Sequence, residues 1–162
     1  MNVTYDFTGR TVVVTGGARG IGRALSEFFA SAGATLAIAD VDAEALAEIT
    51  TQLDGTIPLE IDVADAEAVD RGIRDVVERT GRLDVVVNNA GILRDRVVWK
   101  LTDDDWNAVI GVHLTGTFNM TRAAAPSMLE AGGGSIINLS SIFGLAGAEN
   151  RTAGNLPAQR GG

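Results

Sequence analysis

The feature that most constrains this chain is an alternation: over its first 140 residues, short apolar runs take turns with longer segments of helical period. A run that is apolar throughout must be covered on both faces, and helical crossovers supply that cover, so the alternation marks repeated βαβ units. Thr11–Thr15, Leu36–Ala39, Ile57–Ile61, Leu83–Val87 and Ser135–Leu139 read as five strands. Between the first two, Ile21, Leu25, Phe28 and Phe29 fall on one helical face, and Gly33 ends that helix. A second helix runs from about Asp42 to Leu53, and Asp65 caps a third whose stripe is Val69, Ile73, Val76 and Val77. Thr102, Asp103, Asp104 and Asp105 open the longest helix with a capping-box pattern, three carboxylates standing at the positive end of its dipole. Trp106, Val109, Ile110, Leu114 and Phe118 are expected to be its buried stripe, and Gly132, Gly133 and Gly134 its stop. The predicted fold class is α/β, a doubly wound parallel sheet (Rossmann-like) with right-handed connections and strand order 3-2-1-4-5. Ligands of such sheets bind beyond the carboxyl ends of the strands, at the switch between strands 1 and 4.

Composition narrows the function. A length of 162 residues suits one domain with a real core, expected over residues 1–147, and the last fifteen residues carry no fitted period and read as an irregular tail over 148–162. With no cysteine, neither a disulfide scaffold nor a thiolate zinc site is available, and no metal site is predicted. A formal net charge of −8 repels phosphate backbones and argues against nucleic acid. Residues 1–10 have no apolar signal-type core and no run approaches membrane-spanning length, so no membrane partner and a cytoplasmic location are expected.

The strongest motif is Thr15, Gly16, Gly17, Ala18, Arg19, Gly20, Ile21 and Gly22, set between the first strand and the first helix. Glycines there let backbone approach a pyrophosphate that sits on the amides and positive dipole of the helix N-terminus. The spacing is Gly-x-x-x-Gly-x-Gly, and such a turn is in isolation also compatible with a plain tight connection. Asp40 closes the second strand, where a carboxylate accepts hydrogen bonds from adenosine ribose hydroxyls and repels a 2′-phosphate. That favours NAD over NADP, although Arg19 is available to a phosphate and a solvated acid is the bland alternative at Asp40. Asp62 and Val63 are placed to meet the adenine edge, with helix capping as the plainer role for Asp62. Asn88, Asn89, Ala90 and Gly91 bring two amides and a glycine to the same crevice.

The glycine loop, the Asp62-Val63 pair, Asn88-Asn89-Ala90-Gly91 and Ser140-Ser141 stand in the order and spacing of the short-chain dehydrogenase/reductase family, which the chain resembles over about residues 8–153. Within the family it looks most similar to reductases and dehydrogenases of 3-hydroxyacyl thioesters, on the stretches 91–96 and 112–116. The resemblance implies an oxidoreductase on a secondary alcohol or ketone. In it, Gly16, Ala18, Arg19, Gly20, Ile21, Gly22, Asp40, Asp62, Val63, Asn89, Ala90 and Gly91 hold NAD, Asn88 lines the cofactor, and Ser141 hydrogen-bonds the substrate carbonyl. His113 stands where many members have an asparagine that supports a proton-relay water; an imidazole offers a similar hydrogen bond, and a packed neutral histidine is the equal alternative. The resemblance also implies a homodimer or homotetramer built on the long helix.

The family's tyrosine and lysine fall at Gly154 and Ala158, and Pro157 argues against the helix that would pair them. The sole tyrosine, Tyr5, precedes the first strand and lies too far from the carboxyl ends to substitute, and the sole lysine, Lys100, has no tyrosine neighbour. Loss of general acid/base help costs about 10²- to 10⁴-fold, so turnover is expected to be strongly impaired. The family's further strands are expected to be missing, leaving the fifth strand as an open apolar edge. Twelve arginines against one lysine, with an aperiodic tail after about Ala153, lead to the expectation of a frameshift or truncation there, which the downstream DNA would reveal. A non-catalytic dinucleotide-binding or assembly module is the competing reading. A methyltransferase on a similar sheet is a third, disfavoured by the 88–91 and 140–141 motifs.

Overall fold

The computed structural model describes residues 4–141. Strands β1 (Thr11–Thr15), β2 (Thr35–Asp40), β3 (Ile57–Glu60), β4 (Val85–Asn88) and β5 (Ser135–Asn138) form one parallel sheet in the order β3-β2-β1-β4-β5. Register is set by apolar pairs such as Val13 with Ala37 and Val86, and it brings Asp40 level with Glu60 and Asn88 level with Asn138 at the carboxyl ends.

The period-2 alternation of the strands distributes their side chains between two cores. Val12, Val14, Leu36, Ile38 and Val87 pack with Phe29 of α1 (Gly20–Ser31) and with Leu46 and Ile49 of α2 (Ala43–Gln52). Val13, Ala37, Leu59 and Val86 face the opposite way, onto Val69, Ile73 and Val76 of α3 (Ala66–Thr80) and Met120, Ala124 and Met128 of α5 (Gly116–Glu130). Helix limits follow local chemistry. Asp42 and Asp65 accept backbone amides of the first turns of α2 and α3, and Gly33 and Gly81 take positive φ just past α1 and α3.

The predicted longest helix is two helices joined by a wider turn. Helix α4 (Asp103–Ile110), with Thr102 and Asp105 completing the capping box, runs into a π-helical stretch, Gly111–Thr115, and on into α5. Its expected buried stripe is corrected: Val109 faces the core, but Trp106, Leu114 and Phe118 are 40%, 45% and 56% exposed. The segment is apolar on two faces, and the sheet takes the one that carries Gly116, Met120, Ala124 and Met128. A Cβ on Gly116 would come within 2.5 Å of Val63 Cγ2, so only glycine admits the close approach there and the bulky face turns outward. On α1 likewise the inward residues are Gly22, Ser26 and Phe29, while Ile21 is 69% exposed.

At the amino end of the sheet the Asp84 carboxylate pairs with Arg10 and Arg82 and accepts the Thr11 amide. Burial pushes this carboxyl upward, but Arg82, the Thr11 N–H and Arg10 outweigh it and hold it at about 2. Tyr5 packs edge-on to Phe28, at the far end of α1 from the glycine loop. Among the described residues, no helix is long and apolar enough to cross a membrane and no cluster of three or more acidic or histidine side chains could hold a metal. Gly154, Ala158 and the 148–162 segment lie outside the described residues.

Candidate functional site

The carboxyl ends of β1, β2 and β4 open into a cleft of about 510 Å³. Eleven of the twelve residues read as cofactor-binding line it: Gly16, Arg19, Gly20, Ile21, Gly22, Asp40, Asp62, Val63, Asn89, Ala90 and Gly91. Ala18 does not; it is 1% exposed, and its amide donates to Asp40 Oδ2 at 3.1 Å, so its part is to hold Asp40 in place. Asn88 is also buried behind the wall, where its Nδ2 donates to Asn138 Oδ1. A groove of comparable size between α3 and α5, lined by charges of both signs including Asp70, Arg74, Glu78 and Arg122, is remote from the strand ends.

Two backbone features shape the cleft. Gly16 and Gly20 sit at φ of 60° and 53°, and a Cβ on Gly22 would lie 1.9 Å from the Gly16 carbonyl oxygen. The loop can therefore fold back on the helix start only with glycine there. Opposite it, Thr15 ties the two loops together. Its Oγ1 accepts the amides of Asn89 and Ala90 at 3.0 Å each and donates to the Val87 carbonyl, while Asn89 Nδ2 donates to the carbonyls of Thr15 and Gly16. Thr15 was legible as a strand end and the first residue of the glycine-loop motif but not as a tie between loops, because a hydroxyl that serves three partners across 72 or more residues has no local signature.

The electrostatics of the cleft favour an anion at one point. Helices α2, α3 and α4 are each capped by a side-chain oxygen and carry acids in the first turn, whereas α1 has neither. Its N-terminal amides and the positive end of its dipole thus face the cleft without a carboxylate, the requirement for a pyrophosphate. Around that point stand three carboxylates. Asp40 accepts Ala18 N–H and Asp42 N–H; Asp62 Oδ1 accepts Ala64 N–H; Asp42, not anticipated from sequence as a cleft residue, also pairs with Arg19 at 2.6 Å. The cleft therefore combines a bare helix start for phosphate with acceptors for hydroxyls.

His113 lies on the π-helical stretch. Its Nε2 is 3.1 Å from the Ile92 amide nitrogen and 2.9 Å from the Ile92 carbonyl oxygen, so according to tautomer it accepts from the one or donates to the other. A Cβ on Gly91 would sit 2.7 Å from His113 Cε1, which makes the glycine a condition of this contact. Ile92 and Val112, both missed in the sequence, complete that wall. Ser140 and Ser141 follow β5 at its carboxyl end, Ser141 half-buried.

A family model described as short chain dehydrogenase matches residues 10–153. The chain belongs to the short-chain dehydrogenase family. Membership makes it one of a family of oxidoreductases whose cofactor is a nicotinamide dinucleotide, and the bare α1 start, the glycine loop and Asp40 fit that group. Among curated relatives, the chain is 37% identical over 158 residues to a 3-oxoacyl-[acyl-carrier-protein] reductase, FabG, of Thermotoga maritima, covering 95% of this chain and 63% of the relative. It is 44% identical over 146 residues to an uncharacterised oxidoreductase of Mycobacterium bovis, covering 88% and 59%, and 38% identical over 147 residues to a D-threitol dehydrogenase of Mycolicibacterium smegmatis, covering 87% and 56%. The chain thus spans about three-fifths of the length of the relatives it matches.

Proposed function

We propose that the cleft binds NAD(H) in preference to NADP(H) and that the protein's chemistry is redox exchange between a secondary alcohol and a ketone, with a 3-hydroxyacyl thioester as the substrate class. The observation that carries this is the uncapped start of α1 between the glycine loop and Asp40. The pyrophosphate would rest on the α1 amides, and Asp40, anchored by Ala18 and Asp42, would accept the adenosine ribose hydroxyls. Asp62 and Val63 would border the adenine. Ser141 would orient the substrate oxygen, and His113, through Ile92, would hold the wall beside the reacting end. When bound, the cofactor supplies or accepts the hydride. The thioester class follows from the likeness to the Thermotoga maritima 3-oxoacyl-[acyl-carrier-protein] reductase.

A second reading, a dinucleotide-binding module with little or no turnover, is favoured by Gly154 and Ala158 at the positions of the family's proton-transferring pair. Fluorescence titration with NADH and a turnover assay with a 3-hydroxyacyl thioester separate the two. Binding with turnover supports the enzyme, and binding without it supports the module. Failure to bind NADH removes both readings.

A further inference from the structure

Among the described residues, the side chains lining the cleft include a single cation, Arg19, and three carboxylates, Asp40, Asp42 and Asp62. Arg19 is already engaged: its Nη2 lies 2.6 Å from Asp42 Oδ2. The other oxygen of Asp42 accepts the Ala45 amide as the N-cap of α2, and the Asp42 backbone N–H donates to Asp40 Oδ1. An ordinary surface ion pair must order two long side chains for little return. Here the acid is fixed at the start of a helix and coupled to the ribose-reading carboxylate, so its side-chain ordering is already met by the cap. The guanidinium is 69% exposed.

We infer that Asp42 is a specificity-determining residue of the cleft: it latches Arg19 and so withholds the one cation that an adenosine 2′-phosphate could use, restricting the site to dinucleotides with a free 2′-hydroxyl. The inference rests on the reading of the cleft as a dinucleotide site and adds to it. Asp40 discriminates by occupying the hydroxyl-binding place, whereas Asp42 discriminates at one remove, by neutralising a residue that would otherwise favour the phosphate. The two acids act on the same ligand atom group by different routes, and only the second can be undone without touching the ribose acceptor.

Asp42→Asn separates the latch from the cap, because asparagine is as good an N-cap as aspartate but carries no charge to hold Arg19. The full chain, Asp42→Asn, Arg19→Ala and the double variant are titrated with NADH and NADPH by nicotinamide fluorescence, and with adenosine 2′,5′-bisphosphate by calorimetry. In Asp42→Asn, NADPH and the bisphosphate are expected to bind about tenfold tighter than in the parent, as one unit charge is removed and another released near the phosphate, while NADH changes by less than about twofold. The gain disappears in the double variant, which removes both charges of the pair together. An unchanged NADPH affinity in Asp42→Asn, with NADH still bound, overturns the latch. So does a gain that persists in the double variant, since it would not come from the released arginine. If the parent binds NADH poorly or not at all, the cleft reading falls and the latch with it. Should melting curves show that Asp42→Asn loses the cap, Asp42→Ser repeats the comparison.

Discussion

Adding one methyl group at Gly22 would place a carbon 1.9 Å from the Gly16 carbonyl oxygen and 2.5 Å from Asn89 Nδ2. Neither neighbour can yield easily, because the first is backbone and the second already donates to two carbonyls. Gly22→Ala should therefore displace the glycine loop, costing about 1–3 kcal/mol of stability, and weaken NADH binding by at least tenfold, read by thermal melting and fluorescence titration. Unaltered binding would show that the loop does not cradle the cofactor. Much of the candidate cleft was legible residue by residue: eleven of the twelve expected residues line it, because their motifs stand at strand carboxyl ends that meet at the switch of a parallel sheet. Ala18, the twelfth, lies behind the wall, where only its backbone matters. Asp42 escaped notice because its capping role in α2 is a complete local explanation, and the second oxygen finds Arg19 only after folding.

Between elements, Asp84 joins the starts of β1 and β4 through Thr11, Arg10 and Arg82. Its carboxyl titrates at about 2 in the fold against 3.8 for the free group. Because the folded value is the lower one, the stabilisation is complete above about pH 5 and is lost as pH falls toward 2, an amount of roughly 2 kcal/mol. Urea unfolding of the parent should weaken across that window, whereas Asp84→Asn should be less stable at pH 7 and flatter below pH 4. Equal slopes in the two proteins would reject the assignment. The elements themselves were readable with errors of a residue or two at their ends. The exception was the run from Thr102 to Glu130, where capping chemistry located the start but no periodicity announced the π-helical stretch at Gly111–Thr115.

At the scale of the whole molecule, the two faces of that run divide the labour. Met120 is fully buried between the sheet and α3, while Phe118, two positions before it, is 56% exposed and stacks under Arg122. Met120→Ala should cost about 2–5 kcal/mol in urea unfolding, and Phe118→Ser should leave subunit stability within about 0.5 kcal/mol. If the homodimer or homotetramer that the family resemblance implies is built on the outward stripe of Trp106, Leu114 and Phe118, Phe118→Ser should reduce the mass seen in sedimentation. A parent that sediments as a monomer contradicts this.

By itself the sequence determined the architecture and which residue types stand at each strand end, since both rest on local causes: apolar runs that need two covers, acids that cap, glycines that admit backbone. Only the tertiary structure decided which apolar face of the long helical run meets the sheet, because that choice depends on how closely Gly116 can approach Val63, a residue 53 positions earlier. It also decided that the cleft's arginine is held by Asp42, because ion pairs form between side chains that the fold brings together, whatever their distance along the chain.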